Sequence, residues 1–286
     1  MIYLILSVCI SSSLFVIFKL FDKFQINTFQ AIVVNYLTAF CCGFFFYRNG
    51  MTVTEITQRP WILGSVILGF LFIAIFIVMA TTAQRNGLSV ASVASKMSVV
   101  IPVVFAVIVY QEKLSLLKIS GILLALLAVY LTTVKNDGNT FERKKLLFPI
   151  LLFLGSGVID TAIKYIETKY LAAGEVPIFS STVFGCAFII GIVVAIIRGN
   201  LKITGKTILG GIALGIPNFY SIIFLLKALR PENLGDSSTV FPINNVAIVM
   251  LSTIFGIILF KEKLITKNWI GIGIAIVSIA MIAVSV

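Results

Sequence analysis

The stretch Gln111-Glu112-Lys113-Leu114 and the apolar segment behind it decide the fold, because both return 150 residues later. The second copy is Lys261-Glu262-Lys263-Leu264, and Gly271 in the segment after it corresponds to Gly121 in the first. In each copy the charged tetrapeptide separates two long apolar segments, which makes the repeating unit a group of helices. The chain is therefore predicted to consist of two related halves.

The composition indicates that most of the chain lies in lipid. Hydrophobic residues make up 59% of the sequence and charged residues 12%, and the mean hydropathy is +1.12. These values leave too few polar groups to cover a soluble protein. The 22 Lys and Arg exceed the 11 Asp and Glu, but they lie mostly in short breaks between apolar runs. Basic residues there anchor helices at phospholipid headgroups, so the expected partner is the bilayer and not nucleic acid.

The apolar segments predict an all-α integral membrane protein with ten transmembrane helices. A helix needs about 20 apolar residues to cross a bilayer core of about 30 Å. Ten such segments lie near 2–21, 28–47, 61–83, 89–110, 116–134, 147–168, 177–198, 206–228, 236–260 and 267–285. The polar residues 138–146 form the linker between a first repeat, 1–137, and a second, 147–286. Because five helices is an odd number, the two halves insert with opposite orientation as an inverted repeat.

A second correspondence relates the first helix of each half. Ser12 to Lys19 in span 1 aligns with Gly157 to Lys164 in span 6, at an offset of 145 residues. With the repeated Glu-Lys-Leu and glycine pattern, the chain resembles the ten-helix EamA-type members of the drug/metabolite transporter superfamily. The resemblance covers almost the whole chain. It implies alternating access around a central cavity lined by spans 1, 3, 4, 6, 8 and 9, with spans 5 and 10 at the periphery.

Two positions depart from that family pattern. Span 1 has Ser11-Ser12-Ser13 where many members have Trp-Gly-Ser, and span 2 has Asn35 where an Arg is common. Both helices lie near the translocation path in such proteins, so Asn35 is a candidate substrate-binding residue.

Lys96 is a candidate for binding an anionic group of the substrate. It lies about seven residues into span 4, which is about 10 Å below the start of the helix. An ammonium in a low-dielectric cavity attracts a carboxylate or phosphate strongly. The alternative is that Lys96 snorkels to the headgroups or meets helix carbonyls.

Asp160, near the middle of span 6, is the candidate proton carrier or amine-binding group. Lys164 follows at i+4 in the favourable order for a pair within one helix, and this local pair is the preferred interpretation. The alternative is a gating pair between Asp160 and Lys96, which requires the lysine to cover a depth difference of about 9 Å.

The proline-containing spans 8 and 9 carry further polar candidates. A proline inside a helix frees a carbonyl, and such positions in transporters often line the cavity. The side chains predicted to orient a solute there are Asn218, Tyr220, Asn244 and Asn245. Each of them taken alone is better explained as a hydrogen bond between helices.

Small residues spaced by four in spans 5, 8 and 10 permit close helix approach. Internal packing explains them, and a homodimer through spans 5 and 10 is the less favoured alternative. Glu112 and Glu262 are expected to order their loops and not to contact substrate.

No enzyme, metal or cofactor is predicted. The chain has no histidine, and its four cysteines lie within apolar runs. The segment Gly199 to Thr207 has five residues between its glycines, where a phosphate-binding loop requires four.

The resulting expectation is a secondary transporter of small metabolites, with amino acids among the candidate solutes, in the plasma (inner) membrane. The alternatives are a lipid-linked sugar flippase, which needs a lateral opening, and a non-transporting membrane enzyme or assembly partner. Basic residues favour the odd-numbered loops, which predicts external termini, whereas the family resemblance implies cytoplasmic termini.

Overall fold

The protein is helical throughout the part of the chain that its structure, a computed structural model, describes. The described residues are 2–47, 52–110, 115–133, 143–172, 174–199, 203–228 and 237–284. Their helices are α1 Ile2–Lys23, α2 Thr28–Tyr47, α3 Val53–Thr57, α4 Ile62–Arg85, α5 Leu88–Met97, α6 Val100–Tyr110, α7 Leu116–Thr133, α8 Arg143–Tyr170, α9 Val176–Ile197, α10 Gly205–Ala228, α11 Ser237–Phe260 and α12 Thr266–Val284.

The predicted all-α membrane architecture is confirmed. Within these ranges, nine helical stretches are long and apolar enough to cross a bilayer, and the shorter apolar stretch Ile119–Thr133 completes ten. Successive spans run in alternating directions, so α1 and α8 cross the membrane in opposite senses. We call the face on which α1 begins the first face and the face on which α1 ends the second face.

The predicted fourth span is present, but its helix is broken, which the sequence analysis did not predict. It consists of α5 and α6, which are separated at Ser98 and Val99. Pro102 causes the break, because it lacks the N–H that would bond to the Ser98 carbonyl and its ring excludes that carbonyl from a helical position. The Ser98 carbonyl accepts instead from the Ile101 N–H at 2.9 Å.

The short helix α3 on the first face was not predicted, because five residues are too few to show a periodic pattern. It begins with a capping box, in which the Thr52 hydroxyl accepts from the Glu55 N–H and the Glu55 carboxylate accepts from the Thr52 N–H. The hydrogen bonds from the Thr52 backbone and hydroxyl lower the pKa of the Glu55 carboxyl.

Spans 5 and 10 pack against each other along α7 and α12. A Cβ at Gly121 would lie 2.7 Å from the Ile282 side chain, and a Cβ at Gly271 would lie 2.8 Å from that of Thr132. A shift of 150 residues converts the first contact into the second, so the two halves meet here around a local two-fold axis. The small-residue faces of these helices are therefore covered within the chain, and a homodimer through spans 5 and 10 would have to use their outer surfaces.

The small residues of span 8 have the same role on the opposite side of the molecule. Gly211 and Gly215 of α10 pack against the Val34 and Thr38 side chains of α2, and the pair lies beside α1. The largest core cluster joins α1, α2, α4, α9 and α10 around buried aromatic rings, including Phe18, Tyr36 and Phe184.

Candidate substrate site at the broken fourth span

The central acidic residue of α8 faces the inside of the helix bundle. Helix α4 covers one flank of α8, where Gly155 contacts Ile75, and α6 covers the other, where Gly157 contacts Ile101. Asp160 lies between these two flanks.

The exposure of α8 supports this orientation. The large apolar side chains at Leu154 and Val158 are 49% and 47% exposed, as expected for a lipid-facing stripe. Asp160 is two residues beyond Val158 and therefore lies about 200° around the helix from that stripe. Asp160 is nevertheless exposed, so its carboxylate faces an open space between helices and not lipid.

The break between α5 and α6 supplies the groups closest to this carboxylate. The Ser98 hydroxyl lies 3.4 Å from Asp160 Oδ2 and donates to the Ser95 carbonyl at 2.6 Å. A hydroxyl has a single proton, so the short bond within α5 leaves only a weak contact for the Asp160 carboxylate. A protonated Asp160 would instead be able to donate to the Ser98 oxygen.

Lys96 lies in the last turn of α5 and is partly buried. Ser98, two residues further along the chain, contacts Asp160, so Lys96 and Asp160 lie in the same part of the bundle. The Lys96 ammonium and the Asp160 carboxylate are more than 4.0 Å apart and so do not form a direct ion pair. The site therefore holds a cation and an anion that are near each other but not in direct contact.

The preferred pairing of Asp160 with Lys164 is not formed, which corrects that expectation. No ion pair joins these two described residues, because Asp160 turns toward the α5–α6 break while Lys164 is exposed one helical turn further on. Asp160 therefore lies beside the α5–α6 break, near its alternative partner Lys96, and does not pair with Lys164.

The two lysines related by the repeat have different environments. Lys19 donates to the Gln84 carbonyl at 2.6 Å, and the Gln84 amide donates back to the Phe18 carbonyl at 2.9 Å. These reciprocal bonds join α1 to α4 at the second face. The ammonium of Lys164, its counterpart at the first face, makes no hydrogen bond or ion pair with any other described residue.

The interior face of α8 shows the same asymmetry along its length. Pro149, Phe153 and Ser156, toward the second face, are buried, whereas Asp160 and Lys164, toward the first face, are exposed. The first seven residues of α5, Leu88 to Ala94, are at most 4% exposed and fill the second-face side. Among the described residues, the interior side chains of α5 and α8 are therefore buried toward the second face and more exposed toward the first.

Asn35 and Asn218 join two helices and do not lie with Lys96 and Asp160. The Asn218 amide donates to Asn35 Oδ1 at 3.2 Å, and the side chains are 5% and 0% exposed. The pair lies in the interface of α2 and α10, while Lys96 and Asp160 lie where α5 meets α8. For these two residues the structure favours the hydrogen bond between helices over the substrate contact.

The other polar candidates divide into two groups. Asn244 accepts from the Ser7 hydroxyl at 3.1 Å and is 3% exposed, while Tyr220 lies in an aromatic contact with Phe219 and Phe224. Asn245 is partly buried and has no hydrogen-bond partner among the described residues.

Asn245 is oriented toward the inside of α11. The exposed apolar stripe of this helix includes Ile243 and Ile254, and Asn245 lies about 160° to 180° around the helix from both. Phe241, one turn earlier on the same inner side, is 44% exposed. Asn245 is therefore the predicted polar residue of span 9 that is placed to meet a solute.

Sequence reasoning missed Ser98 as a site residue. Its signal was Pro102 four residues later, because a proline predicts a break in the preceding turn. The expected loop role of Glu262 is visible as contacts with the start of α5, described below, whereas Glu112 lies outside the described residues.

No group of three or more Cys, Asp or Glu side chains suited to a metal occurs in the described ranges, and all four cysteines are free. A polar depression of about 310 Å³ lies at the turn between α1 and α2. It is on the second face and is separate from Asp160.

The first half of the chain matches a known family: residues 1–134 match the EamA-like transporter family. The match places these residues in the drug/metabolite transporter superfamily, as the repeated motifs predicted.

One protein sequence and one solved structure match nearly the whole length of this chain. An uncharacterised protein of Haemophilus influenzae is 29% identical over 275 residues, which are 94% of this chain and 93% of the relative. A solved crystal structure has a TM-score of 0.62 at 14% identity and covers 98% of this chain and 94% of its own. The latter likeness shows the fold alone.

Proposed function

We propose that this EamA-type protein is a secondary transporter that moves small zwitterionic metabolites, with amino acids as the leading class, across the plasma membrane. The observation that carries the proposal is the juxtaposition of Lys96 and Asp160, which form no direct ion pair, at the broken fourth span. Family membership supports transport as the general activity.

The two charges suit a solute that carries both signs. Lys96 binds its carboxylate and Asp160 binds its ammonium, because each charge attracts its opposite strongly where water is excluded. Because Lys96 and Asp160 do not pair with each other, a bound solute can form one ion pair with each of them. The Asn245 amide across the bundle hydrogen-bonds the remaining polar part of the solute.

Asp160 also couples transport to protons in this proposal. One carboxylate cannot hold a proton and a substrate ammonium in the same step, so the two compete for it. Loading a proton from one side and a solute from the other converts a pH gradient into solute movement. The Ser98 hydroxyl, which accepts from a protonated Asp160, gives the solute-free state a defined hydrogen bond.

Alternating access follows from the inverted repeat. In this proposal the state described above is the one that opens at the first face, and exchange of environments between the two halves produces a state that opens at the second face. Repeat-related residues with different contacts, such as Lys19 and Lys164, exchange those contacts between the two states.

The test is solute counterflow into proteoliposomes preloaded with a mixture of unlabelled amino acids, with labelled amino acids outside. Lys96→Gln and Asp160→Asn are expected to reduce counterflow at least about tenfold, the effect of losing a buried charge pair. The matched controls are Lys206→Gln and Asp22→Asn, which change the same residue types at exposed positions and should retain the activity. Wild-type protein that moves no solute, or site variants that behave like the controls, would contradict the proposal.

The flippase and enzyme alternatives have separate readouts. Translocation of a lipid-linked sugar in the same vesicles, without amino acid counterflow, would identify a flippase. Chemical change of the solute without its movement would identify an enzyme.

A further inference from the structure

We propose that Glu262 is a positioning residue that closes the second face by fixing the start of α5, and that its contacts release when this face opens. The inference rests on the transport cycle proposed above and assigns to Glu262 the control of one face. It starts from contacts that cross between the two halves of the chain.

Glu262 replaces a missing N-terminal cap on α5. The Leu88 N–H, at the first residue of α5, donates to Glu262 Oε1 at 2.7 Å, and the Ser89 hydroxyl donates to Oε2 at 3.3 Å. The residue before α5, Gly87, provides no side-chain cap. A carboxylate at this end also meets the positive end of the helix dipole.

The surroundings of the carboxylate are shaped to hold it. A Cβ at Gly87, which has a φ of +107°, would lie 2.9 Å from the Glu262 carboxylate, and Gly256 likewise leaves room only for a hydrogen. The Glu262 N–H donates to the Gly256 carbonyl at 3.0 Å. Lys261 has a φ of +54°, which turns the chain sharply after α11. Glu262 is thus fixed at its backbone and enclosed at its side chain.

Helix α5 connects this contact to the substrate site. It has 10 residues and is therefore about 15 Å long. Glu262 binds its first residue, while Lys96 and Ser98 lie at its other end. Because the buried helix moves as one rigid unit, its displacement at the second face also displaces the Lys96 ammonium relative to Asp160.

Opening of the second face has to break these bonds. Glu262 belongs to the second repeat, in the turn between α11 and α12, and α5 belongs to the first. Separation of the halves at this face removes the carboxylate from the Leu88 N–H. The Lys19–Gln84 bonds join α1 and α4 within one half, whereas the Glu262 bonds join the two halves.

The test measures opening of the second face by electron–electron distance distributions, without any solute. Spin labels at Asp22→Cys and Lys267→Cys, both exposed positions on the second face, report the separation of α1 from α12. The labels are placed after replacement of the four native cysteines. Glu262→Gln retains the size of the side chain but removes its charge.

The expected result is that Glu262→Gln raises the ratio of open to closed molecules at the second face about tenfold, the change for losing a hydrogen bond to a charged group. Ser89→Ala, which removes the longer contact, should give a smaller increase. Lys263→Gln, a change at the exposed neighbour, is the control and should leave the distribution unchanged.

Two results would overturn the proposal. One is an unchanged distribution in folded Glu262→Gln protein, which would make Glu262 a purely structural loop residue. The other is an equal shift in Lys263→Gln, which would show a general effect of altering the loop. Since no solute is present, a wild-type protein that fails to transport amino acids can still show the Glu262 effect, and the two proposals fail independently.

Discussion

The buried bond between Asn35 and Asn218 provides a sharp test of which polar residues belong to the substrate site. The perturbation is the pair of single changes Asn35→Ala and Asn218→Ala, together with the double variant. The bond length of 3.2 Å and the near-complete burial of both side chains predict a direct energetic coupling. Neither change is expected to affect the solute, because the pair lies between α2 and α10.

The magnitude follows from the membrane setting of this bond. Hydrogen bonds between helices in membranes contribute about 0.6 kcal/mol on average and about 1.7 kcal/mol at most. The Asn35 amide also donates to the Ile32 carbonyl in its own helix, at a long 3.4 Å, so little of its side-chain energy is independent of Asn218. The coupling energy between the two substitutions should therefore be about 0.6 kcal/mol, or about threefold in the unfolding equilibrium constant.

The assay is a double-mutant cycle of reversible unfolding in detergent, combined with the KM for counterflow of each variant. Thr253→Ala in α11 is the control, because the Thr253 hydroxyl bonds to the Val249 carbonyl of its own helix and should show no coupling to Asn218. The expected outcome is coupled stability with an unchanged KM. Additive stabilities accompanied by about a tenfold rise in KM would refute this reasoning and return both asparagines to the substrate site.

Three further predictions concern the break, the α7–α12 contact and the first-face ion pair. Pro102→Ala restores an N–H that can reach the Ser98 carbonyl, so it should raise the melting temperature and lower saturated turnover about tenfold by moving the site; faster turnover would contradict it. Asn268→Ala removes two hydrogen bonds to α7 carbonyls, at 3.1 and 3.0 Å, and one from the Ile265 N–H at 3.0 Å. The free energy of unfolding should fall by about 2 kcal/mol. An unchanged free energy of unfolding would show that these bonds do not stabilise the protein. Glu175→Gln weakens the 3.0 Å ion pair with Arg59, which is 40% exposed, so a loss of about 1 kcal/mol or less should be measurable in low salt and disappear in about 1 M salt. A loss that is independent of salt would assign the effect to packing.

The transmembrane helices were predictable because each is bounded by residues that interrupt an apolar run. The end of α2 at Tyr47 and the start of α10 at Gly205 lie at or within one residue of the sequence-based positions. The ends of membrane helices are easy to predict, because a polar stretch cannot remain inside the bilayer without a hydrogen-bond partner. The break was missed because Ser98 and Val99 are neither charged residues nor Gly or Pro, and only the backbone chemistry of Pro102 marks their position.

The site was only partly predictable, because sequence reveals which side chains are unusual but not which way they face. Lys96 and Asp160 were found from the energetic cost of charge in a membrane. The prediction that Asp160 pairs with Lys164 was wrong. A spacing of four residues permits such a pair within a helix, but the tertiary structure turns Asp160 away from it. Asn35 and Asn218 look like solute ligands until their mutual bond is known, and no pattern along the chain links residues so far apart.

The contact between α7 and α12 has a consequence for the origin of the chain. Gly121 with Ile282 and Gly271 with Thr132 are images of one another, so the same surface patch is used twice in an isologous manner. A single five-helix polypeptide carrying this patch would associate with a second, oppositely inserted copy of itself through the same helix. The seam therefore has the form expected of a dimer interface between two such units joined into one chain. Co-expression of 1–137 with 138–286 as separate polypeptides should then allow the two halves to reassemble along it.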